Sequence, residues 1–131
     1  MTFPSAGFSN GDIITIRATD GFCSPASMNG AVSITINPIP NITGVSITDV
    51  CQGIISTNML YTGTTGSPDQ YSIDFDATAE GQGFADIVNA ALTGSPIGLT
   101  VPGGAIPGTY NGNLTVTNTT TTCQSVVTPI T

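Results

Sequence analysis

The stretch from Pro107 to Asn118 constrains the fold more than any other part of this sequence. A Pro-Gly corner leads into Tyr110, after which apolar or small residues alternate with polar ones. Tyr110, Gly112, Leu114 and Val116 share one face, and Asn111, Asn113, Thr115 and Thr117 share the other. This period of two is typical of a half-buried β-strand. A tyrosine just past a Gly-rich corner often fixes such a strand in a two-sheet sandwich. We therefore predict that Tyr110 is a structural corner residue.

The rest of the chain also favours short strands. Its β-branched residues are interrupted by Gly, Pro and Asn, and Trp is absent from the 131 residues. Strands are predicted at 43–50, 56–64, 70–76, 85–92, 95–102, 110–118 and 126–130. A helical turn is predicted at 77–83, with Asp76 as its N-cap. About seven strands at this spacing, with one short helix, predict an all-β antiparallel sandwich of the Ig or PKD type.

An internal repeat suggests how the chain is organised. A shift of 100 residues places Ile14 on Leu114, Ile16 on Val116 and Cys23 on Cys123. We therefore expect residues 1–37 to be the last two strands of a preceding repeat, including a strand at 31–37. Residues 38–41 form a Pro-containing linker, which two prolines should keep extended. Residues 42–131 are expected to form a second repeat whose final strand is truncated.

The charge balance excludes several classes of function. Arg17 is the only basic residue, His and Lys are absent, and the net charge is −7. Nucleic-acid binding requires several cations against the phosphates, and a basic membrane-surface patch requires them too. The absence of His removes the usual general base and its nucleophile pairs. We therefore expect a protein that is not an enzyme and binds no nucleic acid. Because no stretch approaches the roughly 20 apolar residues of a membrane span, we also expect no direct insertion into a membrane.

Three cysteines, Cys23, Cys51 and Cys123, are present without a CxxC pair. In a chain rich in Thr, Ser, Gly and Asn, they favour disulfides in an oxidising, extracellular setting. The odd count predicts that one cysteine has its partner outside this chain. The first 30 residues lack the pattern of a signal peptide, so a secreted protein would carry that signal upstream.

Acidic residues are concentrated between Asp69 and Asp86. Asp74 and Asp76 fall on one face of a predicted strand, and Glu80 follows them. A hard cation such as calcium would relieve their repulsion, which makes Asp74, Asp76 and Glu80 a candidate cation cluster. The favoured interpretation is a solvated acidic face on which Asp76 caps the helical turn, because the spacing matches no calcium loop. No cofactor is expected.

The series of motifs in the second half of the chain resembles a known type of repeat. It consists of Cys51-Gln52-Gly53, Tyr61-Thr62, the block from Gly66 to Asp76, Gly108-Thr109-Tyr110, Leu114 to Asn118, and Cys123. It is similar to the repeats of SprB-like gliding adhesins, the long surface proteins of gliding bacteria with type IX secretion, and to PKD-like modules of secreted bacterial proteins. Gly66 to Asp76 is the more specific part of the resemblance.

The resemblance implies a rod of tandem sandwiches displayed at the cell surface. Its partners would be adjacent repeats, the cell-surface motility machinery and surface polysaccharide, and its role would be multivalent adhesion in gliding motility. Related repeats carry an intradomain cysteine pair at the positions of Cys51 and Cys123, which implies a Cys51–Cys123 disulfide. An Ig strand order opposes this bond, because it puts the two connections at opposite poles. Two free thiols are the alternative.

A second function class is a carbohydrate-binding module with its own aromatic-lined site. Tyr61 or Tyr71 would stack on a sugar ring if either faced solvent. The alternating pattern favours core packing for both, and the absence of Trp favours the structural repeat over the binding module. A glycosidase using Asp74 with Asp76 or Asp86 is a distant third interpretation.

Overall fold

The computed structural model describes the backbone of residues 13–14, 17–18, 26–27 and 32–131, and the side chains from residue 33 onward. The chain divides into two units, Met1–Asn37 and Pro38–Thr131. Ile16 and Cys23, which the internal repeat singles out, lie outside the described residues. No helix in the described part of the chain is long and apolar enough to cross a membrane.

The described residues of the first unit include two nested antiparallel strand pairs. Strand β1 (Ile13–Ile14) pairs with β4 (Val32–Ser33), and β2 (Arg17–Ala18) pairs with β3 (Ala26–Ser27). Nested antiparallel pairs are typical of a single hairpin. The strand predicted at 31–37 is shorter than expected, since strand geometry within the described residues ends at Ser33.

The second unit contains ten strand segments and one helix. They are β5 (Asn41–Thr43), β6 (Ser46–Ile47), β7 (Ser56–Leu60), β8 (Gly63–Thr65), β9 (Gln70–Phe75), α1 (Ala77–Glu80), β10 (Ile87–Ala91), β11 (Ile97–Thr100), β12 (Gly112–Asn118), β13 (Cys123–Gln124) and β14 (Thr128–Ile130). One sheet has the order β10-β9-β12, with β13 and β14 both paired to the far side of β12. Opposite it are β11-β7-β6 and the pair β5-β8. All of these pairs are antiparallel. The predicted all-β antiparallel fold with one short helix is confirmed.

Some predicted strands are divided into two segments. The strand predicted at 43–50 becomes β5 and β6, separated at Gly44, whose φ is +63°. A Cβ at Gly44 would lie on the side chain of Thr62, so this close approach requires glycine. The strand predicted at 126–130 is observed as β14, and β13 precedes it where no strand was predicted. Both follow one path along β12, because the Ser125 amide donates to the Val116 carbonyl oxygen at 2.8 Å between them.

The alternation along β9 and β12 builds the core. Leu114 lies opposite Ile73 in the register and Val116 lies opposite Tyr71, and all four side chains are buried. Ile97 and Leu99 of β11 and Met59 of β7 cover them from the opposite sheet. Burial of each such side chain contributes roughly 1.5–3 kcal/mol before packing effects. The residues of β12 that alternate with these buried ones, such as Asn113, have their polar side chains on the outer face of the sheet.

The helical turn is shorter than predicted. Helix α1 covers Ala77–Glu80, and the Asp76 carboxylate accepts a hydrogen bond of 2.8 Å from the Ala79 amide as its N-cap. The chain then turns through Gly81 to Gly83, and Gly83 has a φ of +94°. The Phe84 amide closes this turn on the Ala79 carbonyl oxygen at 3.2 Å. The helix therefore ends at Glu80 with Gly81 as its C-cap, and the positive φ of Gly83 keeps helical backbone from continuing over the predicted range 77–83.

The second unit has two ends, which we call the entry pole and the exit pole. At the entry pole, Pro40 lies beside Gly66, and the Asn118 side-chain amide donates to the Gly66 carbonyl oxygen at 2.9 Å. At the exit pole, Phe75 and Ile130 both pair with Gly112. Strand β9 spans the distance between them, about 17 Å for its six residues. The chain therefore enters the sandwich at one pole, and Thr131 lies at the other.

Candidate functional site

A cleft of about 440 Å³ opens at the exit pole of the second unit. Its walls come from the loop that precedes β7, from the aromatic residues at the end of β9 and after α1, and from the corner that precedes β12. The lining residues that carry the argument are Val50, Ile54, Phe84, Ile106 and Tyr110. Among the described residues that line the cleft, Asp49 is the only one with a charged side chain. The cleft therefore suits an apolar group.

Three aromatic rings form the floor of this cleft. The Phe75 and Phe84 ring centroids lie 5.3 Å apart, and those of Phe84 and Tyr110 lie 4.9 Å apart, both pairs tilted. Aromatic rings in this tilted arrangement attract each other, and this attraction adds to the stabilisation from the apolar area that they bury. The row holds the segment after α1 against the corner of β12, so the floor of the cleft is preorganised.

Tyr110 has two roles at this pole. Its hydroxyl donates a hydrogen bond of 2.6 Å to the Ile106 carbonyl oxygen, which closes the Pro107-Gly108 corner. This is the corner arrangement expected from the sequence. Its ring is half-buried and lines the cleft, so it also contributes to an accessible surface. The sequence pattern indicated the first role and not the second.

The rim of the cleft exposes apolar side chains. Ile54 is 49% and Ile106 60% exposed, and Val50 is also exposed. Exposed apolar groups gathered around one concavity indicate a contact surface more strongly than the same groups scattered singly. Sequence reasoning did not single out these residues or Phe84. The signal that could have found them was the occurrence of several aliphatic residues within turn-rich segments, at 50–55 and at 105–107.

The structure corrects the expected Cys51–Cys123 disulfide. Both cysteines are free thiols; Cys51 is exposed and Cys123 is half-buried. Cys51 lines the cleft at the exit pole, whereas Cys123 pairs with Asn118 near the entry pole. A disulfide requires Cα atoms within about 7 Å, which is much less than the length of β9 between the two poles. The strand order therefore opposes this bond, as an Ig arrangement implies.

The structure does not gather the acidic candidates Asp74, Asp76 and Glu80 into one metal-binding group. Both oxygens of Asp76 are engaged, one by the Ala79 amide and the other by the Asn111 side-chain amide at 3.2 Å. These hydrogen bonds, the backbone one first, lower the pKa of Asp76. Asp74 and Glu80 are exposed. Within residues 33–131, whose side chains are described, no group of three or more acidic or cysteine side chains is arranged to hold a metal ion.

The first residues of the Gly66 to Asp76 block hold the entry pole together. Asp69 accepts hydrogen bonds from the hydroxyl and the amide of Thr119, the latter at 2.9 Å. The Thr119 hydroxyl, followed by its amide, lowers the pKa of Asp69. The Asp69 amide in turn donates to the Thr117 carbonyl oxygen at 2.9 Å. The turn before β9 is therefore joined to β12 through Asp69.

The two other tyrosines are not a solvent-facing platform. Tyr71 is only 7% exposed and belongs to the core, and its burial raises the pKa of its hydroxyl. Tyr61 is half-buried and packs against the same core. Tyr71 therefore lies in the core, as the alternating pattern predicted, and Tyr61 packs against that core with part of its surface exposed.

A second, smaller groove of about 210 Å³ lies on the outer face of the sheet formed by β9, β10 and β12. Its floor presents hydroxyl, amide and carboxylate groups from Ser72, Asp74, Asn113 and Thr115. Val88 and Val127 flank it. This surface offers hydrogen-bonding groups without an aromatic ring.

No protein-family model matches the chain, and the comparisons with curated proteins and with solved structures give no match either.

Proposed function

We propose that this chain is a structural repeat unit of an extracellular, cell-surface adhesin filament that supports multivalent attachment and gliding. The observation that carries the proposal is the path of the chain through the second unit. It enters at Pro40 beside Gly66, and it reaches Thr131 at the opposite pole. A chain that enters a unit at one pole and runs toward the other would extend a fibre when such units are repeated, as in stacked repeat proteins.

The first unit supports this organisation. Its nested pairs, β1 with β4 and β2 with β3, repeat the relation of β12 to β13 and β14 in the second unit. In both units the described residues pair antiparallel in two short segments. The first strand segments of these pairings, 13–14 and 17–18, fall 100 residues before positions in β12, whereas the segments that pair with them are not related by that shift. A strand segment that recurs at a fixed period is consistent with a tandem array.

The composition suits an exposed fibre. With Arg17 as the only basic residue, the chain offers trypsin-like proteases a single cleavage site. Stability in the second unit comes from the packed core and from the Tyr110 corner, without a bond between Cys51 and Cys123. Adhesion by such a fibre is the sum of many weak contacts, which effective concentration makes strong. The proposed partners are neighbouring repeats, surface polysaccharide and the motility machinery.

Immunogold labelling of intact cells that produce the protein tests the proposal. Antibodies raised against the folded chain should label extended structures outside the cell without permeabilisation. A strain that lacks the gene should lose this label and attach less well to glass. Label that appears only after permeabilisation would contradict a surface fibre.

A carbohydrate-binding module is the second candidate, and the polar groove on the outer sheet face favours it. Ser72, Asn113 and Thr115 carry groups that hydrogen-bond sugar hydroxyls, and the two valines at its edges suit the apolar faces of sugars. Glycan-array binding that is lost in Asn113→Ala and retained in Gln52→Ala would support this candidate. If the protein binds no glycan on the array, the filament role remains the better explanation.

A further inference from the structure

We propose that the open edge of β11 pairs with the same edge of a second copy, in antiparallel orientation. The surface concerned is the side of β11 that faces away from β7, which we call the β11 edge. This inference deepens the proposed function and rests on it, because it identifies another fibre of the same protein as a partner of the fibre.

The hydrogen-bond pattern determines which backbone groups face the β11 edge. The Val101 amide donates to the Ile55 carbonyl oxygen at 2.9 Å, and this pair continues the register of β11 with β7. Hydrogen-bonded and non-bonded pairs alternate in an antiparallel ladder, so Leu99 bonds to β7, whereas Gly98 and Thr100 do not. The N–H and C=O groups of Gly98 and Thr100 therefore point away from β7, where no described strand pairs with them.

The β11 edge is accessible. Gly98 and Thr100 are exposed, and Ile97 and Leu99, which alternate with them, are buried in the core. A Cβ built at Gly98 would meet no atom within 4 Å, so the space beside the backbone is open. The strand and both connections that flank it consist of described residues. An open row of backbone donors and acceptors is a template for the addition of another strand.

Two prolines limit the β11 edge to one short ladder. Pro96 and Pro102 occupy the positions at which the next outward N–H groups would lie, and proline has no N–H to donate. Gly98 and Thr100 are therefore the only donors along this edge. A ladder that ends after two residues favours one defined pairing over open-ended aggregation.

The edge of the other sheet is less regular. The register of β10 with β9 shifts between Ile87 and Ala90, and Asn89 within this bulge has a φ of +52°. The Asn89 amide is turned toward β9, where it donates to the Ser72 hydroxyl at 2.9 Å. A bulge of this kind protects an edge from pairing. The regular edge of β11 is therefore the better template.

Two β11 edges are complementary to each other. When Gly98 of one copy lies opposite Thr100 of the other, each of these two pairs exchanges two backbone hydrogen bonds. Every outward N–H and C=O group of the two residues then has a partner in both copies. The twofold axis passes beside Leu99, so the contact is isologous and closes with two copies.

Charge favours contact between copies at this edge. The chain carries a net charge of −7, but no charged side chain lies on β11, on β7 beside it, or at any position from 87 to 131. The carboxylates of the second unit are Asp49, Asp69, Asp74, Asp76, Glu80 and Asp86. The paired residues themselves therefore bring no like charges together.

Acidic residues approach the β11 edge only through the connections at its two ends. The Leu92 amide, in the connection that precedes β11, donates to the Asp69 carbonyl oxygen at 2.8 Å, while the Asp69 carboxylate is bonded to Thr119. At the other end, Gly83, three residues after Glu80, lies beside Pro102. Antiparallel pairing places one of these ends near the other, so the contact should strengthen as salt screens their repulsion.

The antiparallel orientation determines which copies can meet. Paired units point in opposite directions, whereas fibres rooted in one cell surface run side by side in the same direction. Fibres that extend from two facing cells meet in the required orientation. One contact of this size is weak, and repeated contacts along two fibres add through effective concentration. The β11 edge would thus serve self-recognition between cells.

The first experiment measures amide hydrogen exchange by NMR on the full chain, from micromolar to millimolar concentration. The amides of Gly98 and Thr100 should exchange rapidly in the dilute protein and about tenfold or more slowly in the concentrated protein. The Leu99 amide, which bonds to β7, should be protected at both concentrations. Sedimentation velocity over the same range should show a dimer, which added salt strengthens.

Variants of the β11 edge test the contact. Gly98→Pro removes an N–H that does not bond to β7, and it should weaken dimerisation by about tenfold or more. Thr100→Asp, which adds a carboxylate to the paired residues, is an independent variant in case Gly98→Pro fails to fold. Thr100→Val keeps the backbone groups and should dimerise like the wild type. Val88→Asp, at a site 73% exposed on β10, is the matched control for added charge.

Cross-linking tests the register. In a background with all three native cysteines changed to Ser, one chain carries Gly98→Cys and the other carries Thr100→Cys. Directly opposite residues have Cα atoms about 5.5 Å apart, within the limit of about 7 Å for a disulfide. The mixture should therefore cross-link at least about tenfold faster than either variant alone, because equivalent residues of the two copies lie diagonally and farther apart.

Several outcomes would overturn the proposal. They are a wild-type chain that stays monomeric at millimolar concentration, equal cross-linking in all three samples, and a Val88→Asp effect as large as that of Thr100→Asp. A monomeric chain whose Gly98 and Thr100 amides become protected only when an unrelated extended peptide is added would assign the edge to another partner, and would also overturn it. Surface label on intact cells would survive any of these failures, so the two proposals fail separately.

Discussion

The Tyr110 hydroxyl donates a 2.6 Å hydrogen bond to the carbonyl oxygen of Ile106, four residues earlier in the chain. This bond closes the corner that carries the chain into β12, the strand that pairs with β9, β13 and β14. Because Ile106 also lines the exit-pole cleft, one residue pair connects the stability of the sandwich with the shape of its candidate site.

Tyr110→Phe removes this hydrogen bond and keeps the ring that packs on Phe84. We expect the free energy of unfolding to fall by about 1 kcal/mol, because water can partly replace the lost donor at an exposed carbonyl. Urea denaturation followed by circular dichroism measures the change. Tyr61→Phe, a tyrosine outside the corner, should cost less, and an equal loss in both variants would contradict a special role for the corner.

Gly66→Ala should destabilise the entry pole. Gly66 has a φ of +67°, and an added Cβ would lie 2.7 Å from the Cα of Pro40. A non-glycine residue in this left-handed region costs about 1–3 kcal/mol, to which the backbone clash adds. Gly98→Ala is the matched control, because a Cβ at Gly98 meets no atom within 4 Å. Thermal unfolding that is equally affected by both substitutions would contradict this explanation.

Leu114→Ala tests the core that the alternating pattern predicted. Leu114 is fully buried and lies opposite Ile73 in the sheet. Its truncation should lower the free energy of unfolding by about 2–5 kcal/mol through lost burial and the cavity left behind. Val88→Ala, at an exposed site, should change it by about 0.5 kcal/mol or less. A loss at Leu114 no larger than that at Val88 would contradict the core assignment.

The core could be predicted from the sequence because a period of two is a local signal. Along β12, each residue type already indicates which face it prefers, so Leu114 and Val116 could be assigned to the core without knowledge of their partners. The same alternation assigns Tyr71 to the core. A different local signal, a carboxylate just before a helical turn, assigns Asp76 to the N-cap. In each case, the residues next to the one in question in the sequence are sufficient to assign its position in the fold.

The cleft could not be predicted in the same way, because it depends on which loops meet at a pole. Val50, Phe84 and Ile106 come from three separate connections, and no periodicity relates them.

The prediction of a Cys51–Cys123 bond was wrong for a related reason. It was inferred from positions in similar repeats, whereas the register here places Cys123 beside Asn118 and Cys51 in the cleft. Pairing across a sandwich is decided by register, which the sequence pattern leaves open.

Free thiols at Cys51 and Cys123 predict direct labelling without reductant. In a Cys23→Ser background, the native protein should react with two equivalents of a thiol reagent, Cys51 faster because it is exposed and Cys123 only half-buried. The Cys51→Ser and Cys123→Ser double variant should change the free energy of unfolding by about 0.5 kcal/mol or less, because no cross-link is lost. Labelling that requires prior reduction would contradict the free thiols.

Acid should destabilise the second unit through Asp69 and Asp76. The Thr119 hydroxyl lowers the pKa of Asp69, and the Ala79 amide lowers that of Asp76, both from the ordinary value of 3.8. A carboxyl whose pKa is lower in the folded state contributes stability that is complete above the unfolded value. That contribution is lost as the pH falls through the folded pKa. The urea midpoint should therefore be insensitive to these two groups above about pH 5 and should decline below about pH 4. Asp69→Asn with Asp76→Asn should flatten that decline, since neither side chain then titrates and Asn remains a good N-cap. A decline of unchanged steepness in the double variant would assign the acid sensitivity to other carboxyls.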